Sequence, residues 1–355
     1  MRIAQVAPPF ESVPPVGYGG TERVVATLCN ELVRRGHEVT LFAAGGSCTS
    51  ATLVPTVDQA LWHWEPPLND FGPFWAMTLD AVLERAAEFN VIHSHLDYWG
   101  YTLARYARVP VVTTLHGRLD LPELQLLYRR FKDVPLVSIS DAQRRAVWWA
   151  NFVATIYHGI DLEEFTFSPH PGGYLAYLGR ISPEKGLDAA IRIALQAGMP
   201  LKIAARLPLR HMQDPNVQVD RDYYENVVKL LLKHDQIEFV GELGGRDKDI
   251  FLGGAAALLF PICWPEPFGL VMAEALACGT PVLALDHGSV PEVIQDGLTG
   301  FVRTDEQGLV RAVGRIEELR RLACRAEAER RFSPSAMAAA YERIYRELVA
   351  RTQAA

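Results

Sequence analysis

Short β-branched apolar runs alternate with longer segments of helical apolar spacing along nearly the whole chain. The runs at 3–7, 38–43, 91–94, 111–115, 136–139 and 154–157 predict strands of a first unit. Between the first two, 21–35 has helical spacing and Gly36 is placed to end it. A second series at 174–178, 201–205, 237–240, 256–260, 282–284 and 300–302 predicts the strands of another unit. The polar, proline-containing stretch 161–173 between the two series reads as a linker. Strands alternating with helices imply parallel sheets with crossover connections. The fold class expected is therefore α/β, with two successive doubly wound, Rossmann-like domains. Such domains bind ligands outside the carboxyl ends of their strands. A last helical run, 335–349, follows the second unit.

Composition narrows the function classes. The 355 residues are long enough for two cores, and a net charge of -7 argues against a nucleic-acid-binding surface. Arg34-Arg35, Arg129-Arg130 and Arg144-Arg145 are scattered and read as solvated helix faces. The five cysteines, Cys29, Cys48, Cys263, Cys278 and Cys324, form no CxxC pair. Reduced, mostly buried thiols in a cytoplasmic protein are expected. The apolar run at 1–9 is short for a signal peptide, and no window has the length of a transmembrane helix. Membrane contact, if any, would be peripheral, with Trp148-Trp149 a candidate for it and burial in the domain the alternative.

The stretch from Pro265 through Glu266, Pro267, Phe268, Gly269 and Leu270 to Glu274 sits where an apolar strand hands over to a helix. Pro267 suits the first helical turn, and 279–281 stops the helix. Eight helical residues would separate Glu266 from Glu274 by about 12 Å. A glycosidase acid/base pair needs carboxyls about 5–10 Å apart across one bond. The two glutamates therefore read as separate contacts to a long ligand with the shape of a sugar nucleotide.

This stretch resembles the Glu-x7-Glu signature of the retaining glycosyltransferases of family 4, and the resemblance extends over essentially the whole chain. It implies the GT-B fold, two Rossmann-like domains facing across a deep cleft. Residues 1–161 would form the acceptor-side domain and 162–333 the nucleotide-sugar domain, with 334–355 packing back onto the first. Glu266 would hold sugar hydroxyls near the transfer point and Glu274 the ribose, with backbone N–H groups of Phe268, Gly269 and Leu270 adding donors.

Other motifs take their roles from the same resemblance. The loop Gly17-Tyr18-Gly19-Gly20-Thr21-Glu22 lacks a GxGxxG spacing, which disfavours a dinucleotide-dependent dehydrogenase. Its glycines allow backbone to approach an anion, and Thr21 is placed to cap the helix behind them. By resemblance Gly19 and Gly20 approach the donor diphosphate. Arg180 and Lys185, five apart in a loop opening a helix, would neutralise that diphosphate, whose charge grows as it leaves. His116 would lie beside the reacting sugar carbon, and Leu243 against the nucleobase. At 204–208 the chain lacks the family's usual glycine-bearing turn, and Arg206 is placed to add a charge.

The aromatic region containing Trp62 and Trp64, together with His95, is assigned to the acceptor, with core packing the competing reading for the rings. His93-Ser94-His95 lacks companions with metal-ligand spacing. Asp220-Arg221-Asp222 and Asp247-Lys248-Asp249 read as acidic helix starts rather than metal ligands. The function expected is metal-independent transfer of a hexose, UDP-glucose being the first donor and GDP-mannose the next, to an unidentified acceptor hydroxyl. No cofactor is expected. The alternatives are a non-catalytic sugar-nucleotide-binding subunit, or a phosphorylase or epimerase of the same fold.

Overall fold

A computed structural model describes residues 1–17, 19–208 and 215–354; Tyr18 of the glycine loop lies outside them. The chain divides into two compact units, Met1–Ile160 with Phe332–Ala355, and Asp161–Arg331.

The first unit is built on a seven-stranded parallel sheet in the order β3-β2-β1-β4-β5-β6-β7. Its strands are β1 (Arg2–Val6), β2 (Glu38–Ala44), β3 (Thr52–Val57), β4 (Val91–Ser94), β5 (Val111–Thr114), β6 (Leu136–Ser138) and β7 (Phe152–Thr155). β4 and β5 are buried at every position, as parallel strands covered on both faces must be. The hydrophobic pattern missed β3, whose Pro55 argues against a central strand. The structure places it at the sheet edge, where a proline is tolerated. The first helix, Gly20–Arg34, buries Val24, Val25, Leu28, Cys29 and Leu32, and Gly36 follows it at φ +84°. Gly19 rather than Thr21 occupies its N-cap, without a side-chain hydrogen bond; Thr21 is already inside the helix.

The C-terminal helix, Pro334–Ala354, belongs to this first unit. It buries Tyr341, Ile344 and Tyr345, and Glu342 accepts from Arg35 (2.9 Å) and sits 2.7 Å from His37. The Arg35 guanidinium, outweighing partial desolvation, holds the Glu342 carboxyl down at about 2.

The second unit carries a six-stranded parallel sheet in the order β10-β9-β8-β11-β12-β13. The strands are β8 (Leu175–Arg180), β9 (Leu201–Arg206), β10 (Ile237–Gly241), β11 (Ala257–Phe260), β12 (Val282–Leu285) and β13 (Gly300–Arg303). Strand order reverses between β8 and β11, and between β1 and β4 in the first unit. These switch points are where loops diverge at the strand carboxyl ends and leave room for a ligand. Among the described residues no helix is long and apolar enough to cross a membrane. All five cysteines are free thiols, with Cys29, Cys278 and Cys324 buried.

Candidate functional site

The loops leaving β8 and β11 meet at the second unit's switch point. After β8, the turn Pro183–Lys185 leads into Gly186, which adopts φ +68° and caps the helix Leu187–Ala197. A Cβ at Gly186 would lie 2.1 Å from the Pro261 carbonyl oxygen, so this approach of the two loops requires glycine. The Cys263 N–H donates to the Glu184 carbonyl at 3.0 Å, stitching the same loops together.

This framework brings Lys185 and Glu266 into an ion pair, Nζ to Oε2, at 2.5 Å. The Trp264 indole N–H donates to the same oxygen at 2.9 Å, and Lys185 Nζ stands 5.0 Å from the centre of that ring. Glu266 Oε1 makes no hydrogen bond among the described residues. From below, Ser289 N–H donates to the Glu266 carbonyl at 2.9 Å, and the Gly288 Cα approaches so closely that a Cβ would lie 2.3 Å from Glu266 N. Trp264 and Gly288 were not singled out in the sequence. An indole two residues before the glutamate offered a signal; the glycine, 22 residues downstream, offered none.

The expected helical spacing of the two glutamates is corrected here. The helix spans Leu270–Ala277, with Gly269 at its N-cap at φ +77°, a left-handed conformation that breaks the helical path. Pro267 is outside it, and Glu266 stands in the preceding loop. Phe268 is buried, its carbonyl accepting from Ser289 Oγ at 2.8 Å, while Leu270 is half-buried as the first helical residue. Glu274 lies inside the helix and pairs with Lys248, Nζ to Oε1, at 2.7 Å, both side chains being more than nine-tenths buried.

The pairing of Lys248 with Glu274 was also missed in the sequence, since the triplet around Lys248 reads as an acidic helix start. Its helix is Gly245–Gly253, with Asp247 in the first turn as expected. Asp249, however, turns inward and accepts from the Thr166 N–H at 2.7 Å. The other triplet departs further: Asp220 and Asp222 lie near the end of the helix Pro215–Tyr223, not at its start. Among the described residues no group of three His, Cys, Asp or Glu side chains is arranged to hold a metal ion.

The Lys185 side chain pairs with Glu266, whereas that of Arg180 pairs with Glu184. Arg180, last residue of β8, donates to Glu184 at 2.6 Å and sits 3.5 Å from Asp220. Arg206 ends β9 directly opposite it. Leu243 is half-buried in the loop after β10, at the far edge of this sheet.

In the first unit, Gly19 packs so that a Cβ would meet the Pro15 ring at 2.8 Å and Glu22 Oε2 at 3.0 Å. Glu22 is buried in the helix's first turn, and desolvation pushes its carboxyl up to about 7. Gly20 is the first helical residue.

His95 follows β4 and His116 follows β5, and their rings meet, Nδ1 of His95 to Nε2 of His116, at 2.9 Å. Burial pushes His116 down to about 3, so the ring is neutral at physiological pH. It stacks on His158 at 5.1 Å, and its backbone N–H donates to Asp97 Oδ1 at 3.0 Å. His93 is occupied on both nitrogens, by Tyr345 and Thr114 at 2.7 Å each.

Trp62 is 44 % exposed and rests against Phe10, ring centres 5.6 Å apart. Trp64 is half-buried against Phe74. Trp99, which was not singled out, is 39 % exposed and stacks on buried Trp75 at 5.2 Å. Trp148 is exposed, whereas Trp149 packs into the first unit.

Residues 162–336 match the family model described as Glycosyl transferases group 1, and residues 18–164 match Glycosyltransferase Family 4. A phosphatidyl-myo-inositol mannosyltransferase of Mycobacterium leprae is 26 % identical over 385 aligned positions, covering 97 % of this chain and 96 % of that protein. Among solved structures, sucrose-phosphate synthase from Thermosynechococcus elongatus superposes with a TM-score of 0.79 at 19 % identity, over 99 % of both chains. The Anabaena protein HepE, solved in complex with UDP-glucose, superposes with a TM-score of 0.72 at 19 % identity, over 98 % of this chain and 100 % of that one. At such identities the likeness to the solved structures is one of fold.

Proposed function

The chain belongs to the family 4 glycosyltransferases of GT-B fold, and from that premise we propose that it moves a hexose from a nucleoside-diphosphate sugar to an acceptor hydroxyl, with retention and without a metal ion. The observation that carries this reading is the Lys185–Glu266 pair at the second unit's switch point. A cation beside a carboxylate suits a substrate in which an anionic diphosphate adjoins a hydroxyl-bearing sugar. Lys185 has three N–H donors and so can hold Glu266 and a phosphate oxygen together. Glu266 Oε1 would take a sugar hydroxyl. Glu274, steadied by Lys248, would take the ribose, and Leu243 the face of the base.

The N-terminus of the Leu270–Ala277 helix faces the loop that carries Glu266, and its backbone N–H groups would favour the anion. Arg180 would supply the second cation. In the first unit, the Gly19-Gly20 turn is assigned to the diphosphate and His116 to the reacting sugar. Glu22, about half protonated at pH 7, would repel an anion at that turn less than an ordinary carboxylate does.

In the reaction, the bond from the anomeric carbon to the diphosphate oxygen breaks as the acceptor oxygen bonds to that carbon on the same face. The acceptor proton passes to the departing diphosphate. Fixed cations at the leaving group stabilise this transition state more than the ground state, because charge accumulates there. The first donor proposed is UDP-glucose, the ligand of the structurally similar HepE; GDP-mannose comes second, since the M. leprae relative is a mannosyltransferase. A cytoplasmic location fits the five free thiols.

The test is turnover of UDP-, GDP- and ADP-sugars with a mixed acceptor pool in the presence of EDTA, with product anomers read by proton NMR. Transfer from one donor with its anomeric configuration kept is expected. An inverted product, or a rate recovered only with Mn²⁺ or Mg²⁺, would overturn the mechanism.

A further inference from the structure

A hydrogen-bonded chain runs through the first unit's switch point and ends at His116. Gln5, on β1, lies beside His93 of β4 in the sheet register. Its amide Nε2 donates to the Tyr345 hydroxyl at 3.0 Å, and its Oε1 faces His95 Nε2 at 2.9 Å. His95 Nδ1 then faces His116 Nε2 at 2.9 Å. Gln5, His95 and Tyr345 are all buried.

The chemistry of the amide sets the direction of this chain. A carbonyl oxygen only accepts, so His95 Nε2 carries the proton that it donates to Gln5. A neutral ring has one such proton, which leaves His95 Nδ1 as a bare lone pair. His116 Nε2 must therefore be the donor between the two rings. The remaining nitrogen of His116, Nδ1, is enclosed and has no hydrogen-bond partner. As a lone pair it is tolerable there; run in reverse, the chain would leave an orphaned buried N–H, which is rarer and more costly. Both ends of the chain thus point the same way.

We propose that Gln5 and His95 are positioning residues that hold His116 as its neutral Nε2–H tautomer, with the chain anchored on Tyr345 of the C-terminal helix. This rests on the assignment of His116 to the reacting sugar. The consequence for that reaction is specific. Nε2 is committed to His95, so His116 does not act as a proton acceptor through it. A ring kept neutral and fixed in orientation also avoids placing a cation beside a sugar carbon that becomes positive in the transition state. The stack on His158 and the Asp97 bond to the His116 backbone hold the same residue from other sides. Because Tyr345 lies on the helix that returns to the first unit from the end of the chain, that helix is a structural part of the site.

Long-range proton–nitrogen correlation spectra of the full chain labelled with nitrogen-15 histidine read the tautomer without any substrate. The His116 signal is assigned by its disappearance in His116→Gln. The proposal expects Nε2–H for His116 and for His95. An Nδ1–H signal from either ring would overturn it, whatever the activity. His95→Leu removes the acceptor and should give a mixed tautomer and kcat lower by about tenfold, the usual scale for a supporting partner, with donor KM within about twofold. His95→Asn keeps an acceptor near the Nδ1 position and should restore most of both. Tyr345→Phe, which keeps the packed ring, should loosen the tautomer in the same direction as His95→Leu. Equal loss in the Leu and Asn variants with an unchanged His116 tautomer would refute a positioning role. Should the tautomer be as stated while His116→Gln turns over normally, it is the assignment of His116 to the sugar that fails.

Discussion

Lys185 and Glu266 stand on loops from the two strands that flank the second sheet's switch point, and they are joined at 2.5 Å. Each is a group that the proposed substrate also addresses, one through phosphate and one through sugar. Trp264 closes the set, donating to the carboxylate while lying under the ammonium. On the function proposed, the pair would hold the donor's place, the ammonium keeping Glu266 oriented until a diphosphate shares the lysine.

Glu266→Gln keeps the shape of the side chain but removes the charge that orients both Lys185 and Trp264. Turnover should fall by at least about a hundredfold, the scale of a lost transition-state contact, with nucleotide affinity changed only a fewfold. Steady-state kinetics with the competent donor measure both. Normal kcat would remove Glu266 from the reaction.

Gly288→Ala tests the support beneath that glutamate. Gly288 adopts φ +57°, and a Cβ would lie 2.3 Å from Glu266 N and 2.4 Å from its carbonyl oxygen. These are backbone atoms with little freedom to yield, so the Glu266 loop must shift. A displacement of about 1 Å is enough to lower kcat by about a hundredfold. Kinetics alongside far-ultraviolet circular dichroism, which should stay native, separate this from unfolding.

The buried Lys248–Glu274 pair should be sensitive to the loss of one partner alone. Lys248→Met strands an uncompensated carboxylate and should destabilise the protein by about 3–5 kcal/mol, whereas Lys248→Met with Glu274→Gln should recover a large part of that. Urea unfolding of both variants decides. Similar losses in the single and double variants would mean that the pair's charges are not coupled.

Acid should weaken the first unit. Burial holds His93, His95 and His158 well below the ordinary imidazole range and His116 at about 3. The unfolded chain protonates all four below about pH 6.5, so the stability they contribute is present above that pH and lost as pH falls. Glu22, raised to about 7, and Asp97, raised to about 6, act in the opposite sense. Four rings against two carboxyls leave about two protons of net uptake on unfolding at pH 5.5, a loss on the order of 2 kcal/mol from pH 7. Urea midpoints at the two pH values should show it; a midpoint that stays or rises at pH 5.5 would mean the rings are charged in the fold.

What was legible in the sequence follows from how each feature is encoded. Twelve strands show as apolar runs because parallel strands are covered on both faces, and β3 was hidden by Pro55, which only its edge position excuses. The helix start near Glu266 was misplaced because Pro267 mimics a first-turn proline while Gly269 actually sets the cap. The glutamates and basic residues stand out by type and spacing. Their partners do not, because Lys248 meets Glu274 across 26 residues and Gln5 meets Tyr345 across 340, through packing that no local pattern records.

The most direct measurement is calorimetric binding of the free nucleoside diphosphate and of its nucleoside to wild type and to Lys185→Met. If Lys185 holds the donor diphosphate together with Glu266, the variant should bind the diphosphate at least about tenfold more weakly, the loss of a charge-assisted contact, and the nucleoside as well as wild type does. Equal weakening of both ligands, or no change in either, would contradict a diphosphate site at Lys185 and with it the placement of the transferred sugar beside Glu266.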